Sequence, residues 1–135
     1  MTLGGRKVVL LAEDDPVQQE VLQEFLEYEG YRVVVAPGPD EVLLGLAEAP
    51  DVVLLDLVGV FSPEALRALH EAEPRPAVLL VSADPKLSEV AAALGVDGYL
   101  AKPYDLGELL ARVEQALQRQ QPAMAAAESC WANAP

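Results

Sequence analysis

The sequence predicts a doubly wound α/β domain built on a parallel sheet, and three observations carry that expectation. Short apolar, β-rich runs alternate with helical patterns from Lys7 to about Gln120, the order that βαβ units produce. Most of these runs are apolar at every position, as strands covered on both faces must be. The chain has 135 residues, 52% of them hydrophobic and 23% charged, which suits one domain with a sizeable core and leaves no room for a second.

Five strand and helix pairs follow in order. The strands are expected at Val8 to Ala12, Tyr31 to Ala36, Val52 to Leu57, Ala77 to Ser82 and Gly98 to Ala101. The first helix runs from about Pro16 to Glu29, with Val17, Val21, Leu22, Phe25 and Leu26 on one stripe and Gly30 as its stop. Helices around Asp40 to Ala49 and Glu64 to Glu73 are less cleanly patterned. Two later ones are clear: Leu87, Val90, Ala91 and Leu94 before Gly95, then Leu106, Leu109, Leu110, Val113 and Leu117 after the break at Lys102-Pro103. No internal repeat is evident. From about Gln121 the composition shifts to Ala, Pro and Gln, and residues 121–135 are read as a frayed tail in preference to a docking peptide anchored by Trp131.

Composition narrows the function classes. Nine Lys plus Arg against 22 Asp plus Glu give a formal charge of −13, a poor footprint for direct nucleic-acid or anionic-membrane binding and one that favours a protein partner. The longest apolar runs are too short to span a membrane. Residues Met1 to Lys7 lack the apolar stretch and cleavage site of an export signal, and the lone Cys130 suits a reducing compartment, so a cytoplasmic location is expected.

The chemistry concentrates at strand ends. The run Val8-Val9-Leu10-Leu11-Ala12 ends abruptly in Glu13-Asp14-Asp15, and Val52-Val53-Leu54-Leu55 ends in Asp56. In an open parallel sheet, ligands bind outside the carboxyl ends of the strands. Carboxylates brought together there repel and raise one another's pKa unless a cation or a proton sits among them, which points to a hard divalent metal. Ser82 and Lys102 follow the fourth and fifth strands. Singly, each of these residues has a structural explanation, an acid after a strand as a helix cap or a Lys before Pro as a solvated loop charge. Together, carboxylates for one Mg²⁺, a hydroxyl and an ammonium make a pocket suited to a phosphoryl group.

Residues from about Lys7 to Gln120 resemble the receiver domain of two-component response regulators. The resemblance rests on Leu11-Ala12-Glu13-Asp14-Asp15-Pro16, Asp51-Val52-Val53-Leu54-Leu55-Asp56-Leu57, Val81-Ser82-Ala83 and Gly98-Tyr99-Leu100-Ala101-Lys102-Pro103, in family order and each at a strand end. It implies a flavodoxin-like five-stranded sheet of order 2-1-3-4-5 with helices on both faces, one receiver domain over residues 1–120. It implies Asp56 as phosphoacceptor, with Mg²⁺ held by Glu13, Asp14, Asp56 and the backbone carbonyl of Val58. Ser82 would bind a phosphoryl oxygen, Lys102 would pair with Asp56 and then with the phosphoryl group, and the Lys102-Pro103 bond would be cis. Tyr99 stands where the family has a switch aromatic, although an ordinary strand aromatic would look the same. Implied partners are a sensor histidine kinase or a histidine phosphotransfer protein and a downstream protein target, with the chain a monomer or a phosphorylation-dependent dimer. Such a domain catalyses its own phosphorylation and dephosphorylation and carries no separate enzymatic output.

Some features depart from the family pattern. The family commonly has Pro four residues after the phosphoacceptor and an Asp-Gly turn before the third helix, whereas this chain has Val60 and Phe61-Ser62-Pro63. Ser62 as N-cap and Pro63 at the first helical position still make a good helix start. Asp56 and Ser82 are 26 positions apart, and Ser82 and Lys102 are 20 apart, both a little short for the family, so a short fourth helix is expected. His70, the only histidine, is read as structural. A pseudo-receiver, binding proteins independently of phosphorylation, is the alternative, and retention of all five polar positions argues against it. An aspartyl phosphohydrolase would want a further acid close behind Asp56, where Leu57-Val58 offers none. A nucleotide binder would want its glycines after the first strand, and Gly4-Gly5 precede it.

Overall fold

The structure is a computed structural model that describes residues 5–119; the 121–135 tail, with Cys130 and Trp131, lies outside the described residues. Five parallel strands, β1 (Val8–Ala12), β2 (Arg32–Ala36), β3 (Val52–Asp56), β4 (Ala77–Ser82) and β5 (Gly98–Ala101), form one sheet in the order β2-β1-β3-β4-β5. Five helices connect and follow them: α1 (Pro16–Tyr28), α2 (Pro39–Gly45), α3 (Pro63–Glu71), α4 (Leu87–Leu94) and α5 (Leu106–Arg119). This is the doubly wound flavodoxin-like order.

The uniformly apolar strands divide their side chains between two cores. Val9, Leu11, Val52, Leu54, Leu79 and Leu100 pack with Leu22 and Leu26 of α1 and Leu109, Val113 and Ala116 of α5. The alternate residues Leu10, Val53, Leu55, Val78 and Leu80 pack with Val42 of α2, Leu69 of α3 and Leu87 and Ala91 of α4. Fully burying one such Leu or Val stabilises by roughly 1.5–3 kcal/mol, and a polar residue on either face would forfeit that, which is why the strands do not alternate.

The first helix corrects one expectation. Its five apolar residues span roughly half the helix circumference at about 3.6 residues per turn, wider than one sheet can cover. Leu22 and Leu26 are buried and Phe25 packs against that core, whereas Val17 is 65% and Val21 44% exposed. The boundaries of β2 and the second helix also differ. Tyr31 N–H donates to Leu26 O at 3.0 Å, closing the end of α1 around Gly30, whose φ is +101°, so the strand begins at Arg32. Beyond α2 the chain tightens into a 3₁₀ turn, Leu46–Glu48. Ser62 Oγ accepts from Ala65 N–H at 3.0 Å and Pro63 opens α3. The fourth helix is short, eight residues. His70 Nε2 lies 3.0 Å from Leu94 O, tying α3 to the end of α4. No helix among the described residues is long and apolar enough to cross a membrane.

Candidate functional site

Three ladders run one residue past their strands and fix the backbone where the polar side chains begin. Glu13 N–H donates to Ala36 O at 3.1 Å, Leu57 N–H to Val81 O at 3.0 Å and Lys102 N–H to Ser82 O at 2.9 Å. The peptide bond between Lys102 and Pro103 is cis. Asp15 caps α1, its carboxylate accepting from Gln18 N–H at 3.3 Å, so of the three acids after β1 only Glu13 and Asp14 remain for the crevice. Gln19 of α1 donates from Nε2 to Glu13 O at 2.7 Å and holds that turn from the helix side.

Glu13, Asp14 and Asp56 converge, each offering a carboxylate oxygen within 4.8 Å of the others. Glu13 is 6% and Asp56 4% exposed, while Asp14 faces solvent. Asp56 is held at both oxygens: Val58 N–H donates to Oδ1 at 3.0 Å and Lys102 Nζ to Oδ2 at 2.9 Å. Burial raises the Glu13 pKa; the Asp15 N–H that donates to its carboxylate lowers it again, and neighbouring Asp56 raises it further. Partial burial works against the charge on Lys102, but the hydrogen bond and charge of Asp56, with Glu13 behind it, outweigh burial and hold the ammonium above its ordinary pKa. Two unit charges about 5 Å apart repel by about 3 kcal/mol at an effective dielectric near 20, so one ammonium beside three carboxylates leaves the cluster short of positive charge. An all-oxygen donor set with one exposed member fits a hard cation that keeps part of its water shell.

Ser82 is 3% exposed at the end of β4, and its Oγ accepts from Asp84 N–H at 3.0 Å. Tyr99, two residues nearer the start of β5 than Ala101, is half-buried against the α2, α3 and α4 side of the sheet, with the Arg112 guanidinium of α5 5.8 Å from its ring centre. The side chain of Val58 is exposed.

A protein-family model described as the response regulator receiver domain matches residues 9–114. The chain belongs to that family. The transcriptional regulatory protein CpxR of Escherichia coli K12 is 35% identical over 117 residues, a match that covers 82% of this chain and 49% of CpxR. This receiver domain therefore spans about half the length of the curated relatives it matches. The signal receiver domain of an HD domain-containing protein from Pseudomonas fluorescens Pf-5 superposes with a TM-score of 0.74 at 30% identity, covering 89% of this chain and 93% of that one. The receiver domain of sensor histidine kinase PA1611 from Pseudomonas aeruginosa PAO1 superposes with a TM-score of 0.72 at 26% identity over 84% of this chain and 99% of its own; that structure has a magnesium ion coordinated in its active-site cleft.

Two residues of the receiver domain's crevice escape a reading of strand ends alone. Gly59, with φ of +105°, lies against the Asp14 carboxylate. Tyr104 lines the same hollow as Glu13 and Asp56. The only sequence signal for either is local: a glycine three residues after Asp56, and an aromatic directly after Lys102-Pro103.

Proposed function

We propose that this receiver is a phosphorylation-driven switch in which Asp56 accepts a phosphoryl group from the phosphohistidine of a sensor histidine kinase or a histidine phosphotransfer protein. The observation that carries this reading is the 2.9 Å pairing of Lys102 Nζ with Asp56 Oδ2 beside two further carboxylates. Glu13, Asp14, Asp56 and the Val58 carbonyl would hold Mg²⁺, which when bound adds positive charge against the equatorial phosphoryl oxygens.

The residues divide the remaining work. Asp56 is a weak nucleophile, so it depends on a good leaving group and on in-line placement; partners on both of its oxygens fix the carboxylate plane before a donor arrives. Lys102 pairs with Oδ2 and would follow the charge onto the phosphoryl group. In a loose transition state, alignment and neutralisation are most of what a protein contributes. No general base is required, because Asp56 attacks as an anion.

After transfer, the Ser82 hydroxyl would donate to a phosphoryl oxygen, a charge-assisted bond worth about 1.5–3 kcal/mol. That shifts a two-state equilibrium by roughly ten- to a hundredfold. Tyr99, packed on the adjoining strand, would read the change and pass it to protein contacts, in a monomer or a phosphorylation-dependent dimer, without direct binding of nucleic acid or membrane. The setting would be the cytoplasm.

Acetyl phosphate with Mg²⁺ tests the reading. Intact mass should show one added phosphoryl group that hydroxylamine removes, lost in Asp56→Asn and with EDTA. A folded, Mg²⁺-binding protein that stays unlabelled would overturn it.

A further inference from the structure

Beneath the carboxylate cluster, between β1, β3 and the start of α5, a small cavity leaves about 10 Å³ open to the centre of a water molecule. Its wall is largely apolar, with Leu11, Leu22 and Leu54 among the lining, and three polar residues reach it: Glu13, Asp56 and Tyr104. A cavity of roughly 10–15 Å³ on that measure is the least that holds one water, which needs two to four polar partners. The cavity stands at that lower limit, and Glu13, Asp56 and Tyr104 in its lining can supply the polar partners.

Tyr104 is the unexplained member. Its ring packs against the α1 and α5 core. Burial raises the pKa of its phenol, with Lys102 lowering it and Glu13 and Asp56 raising it further, so the hydroxyl lies within the field of the site charges. Tyr104 is half-buried; among the described residues, no protein group hydrogen-bonds its hydroxyl, and a polar group shielded from bulk solvent without a protein partner is one that ordered water usually satisfies.

We infer that one water occupies this cavity and links the Tyr104 hydroxyl to the Glu13 carboxylate, making Tyr104 a positioning residue that aims Glu13 at Mg²⁺; the inference rests on the metal-dependent reading above. Glu13 Oε2 already accepts from Asp15 N–H at 3.1 Å. The water holds the carboxylate from the opposite, buried side, accepting from the phenol and donating to Glu13 and Asp56. Without it Glu13 keeps its place in the chain but loses its fixed rotation.

The test compares the full chain with Tyr104→Phe, which removes only the hydroxyl, and Leu106→Ala, which thins the same core without touching it. Water-to-amide contacts are read by NMR in the metal-free proteins, and Mg²⁺ affinity by calorimetry. The unmodified chain should show a persistent water beside the Glu13 amide. Tyr104→Phe should lose that water and bind Mg²⁺ about tenfold more weakly while melting at the same temperature. Leu106→Ala should melt earlier and keep both. A Tyr104→Phe protein with unchanged affinity or a retained water, or an equal loss of affinity in Leu106→Ala, would overturn the role. An unmodified chain that fails to bind Mg²⁺ would be seen before any variant and would overturn the metal reading itself.

Discussion

Gly59 stands against Asp14 with no space for a side chain between them: a Cβ built on Gly59 would lie 2.5 Å from Asp14 Oδ2, and the glycine's φ is +105°. The backbone conformation strains an alanine there, and the contact would force the Asp14 carboxylate to move. Gly59→Ala should therefore cost about 1–2 kcal/mol in urea unfolding from the positive φ alone, and should weaken Mg²⁺ binding about tenfold by displacing Asp14. Unchanged affinity in calorimetry would separate Asp14 from the metal.

Charge crowding predicts opposite signs for two substitutions in metal-free protein. Asp56→Asn removes one of the three converging carboxylates and should raise stability by about 1 kcal/mol. Lys102→Ala leaves Asp56 buried without its cation and should lower stability by about 1 kcal/mol, less than for a fully buried pair because the lysine side chain is 36% exposed. Urea midpoints in EDTA compare the two directly.

Glu13 makes the metal-free stability depend on pH. Its folded pKa is raised above the ordinary 4.5, so between the two values the folded protein binds more protons than the unfolded chain. The stability gained from the protonated carboxyl is complete below about 4.5 and is lost as pH rises through the folded pKa. Melting curves in EDTA should show this decline in the unmodified chain and lack it in Glu13→Gln. Saturating Mg²⁺ should flatten it.

His70 offers a control away from the crevice. Its 3.0 Å contact from Nε2 to Leu94 O joins α3 to the last turn of α4, and one such hydrogen bond is worth about 1 kcal/mol. His70→Ala should lose about that much in urea and still accept a phosphoryl group from acetyl phosphate at the original rate.

Tyr99→Ala should label with acetyl phosphate as the unmodified chain does but should lose the difference in partner capture between phosphorylated and unphosphorylated protein. An unaltered difference would reduce Tyr99 to packing on β5.

Much of this architecture is legible from residue order because most of the strands are apolar nearly throughout and four of the five end in, or just before, a polar residue. Val8 to Ala12 followed by Glu13 and Asp14 announces both a doubly covered strand and its carboxyl edge. The exposure of Val17 and Val21 is not legible, since periodicity shows that a helix has an apolar side but not how much of that side a given sheet can cover. Gly59 and Tyr104 are hidden for a different reason. Their importance lies in closeness to Asp14, Glu13 and Asp56 across the fold, and a loop residue's neighbours depend on how the chain returns from the edge. The switch of Tyr31 from strand to helix closure follows from Gly30, whose positive φ turns the chain so that Tyr31 N–H is taken by Leu26 O.

Neighbouring strands pair so that Asp56 lies beside Val81, and Ser82 beside Ala101, with Lys102 next along. The three polar groups thus descend the sheet like steps of a staircase, each one rung beyond the last. A slip of a single rung in any pairing would carry one of them about 3.3 Å along its strand, out of step with the other two. A misassembled molecule would then be mute rather than wrongly responsive, so correct folding and competence to receive a signal are tested by the same alignment.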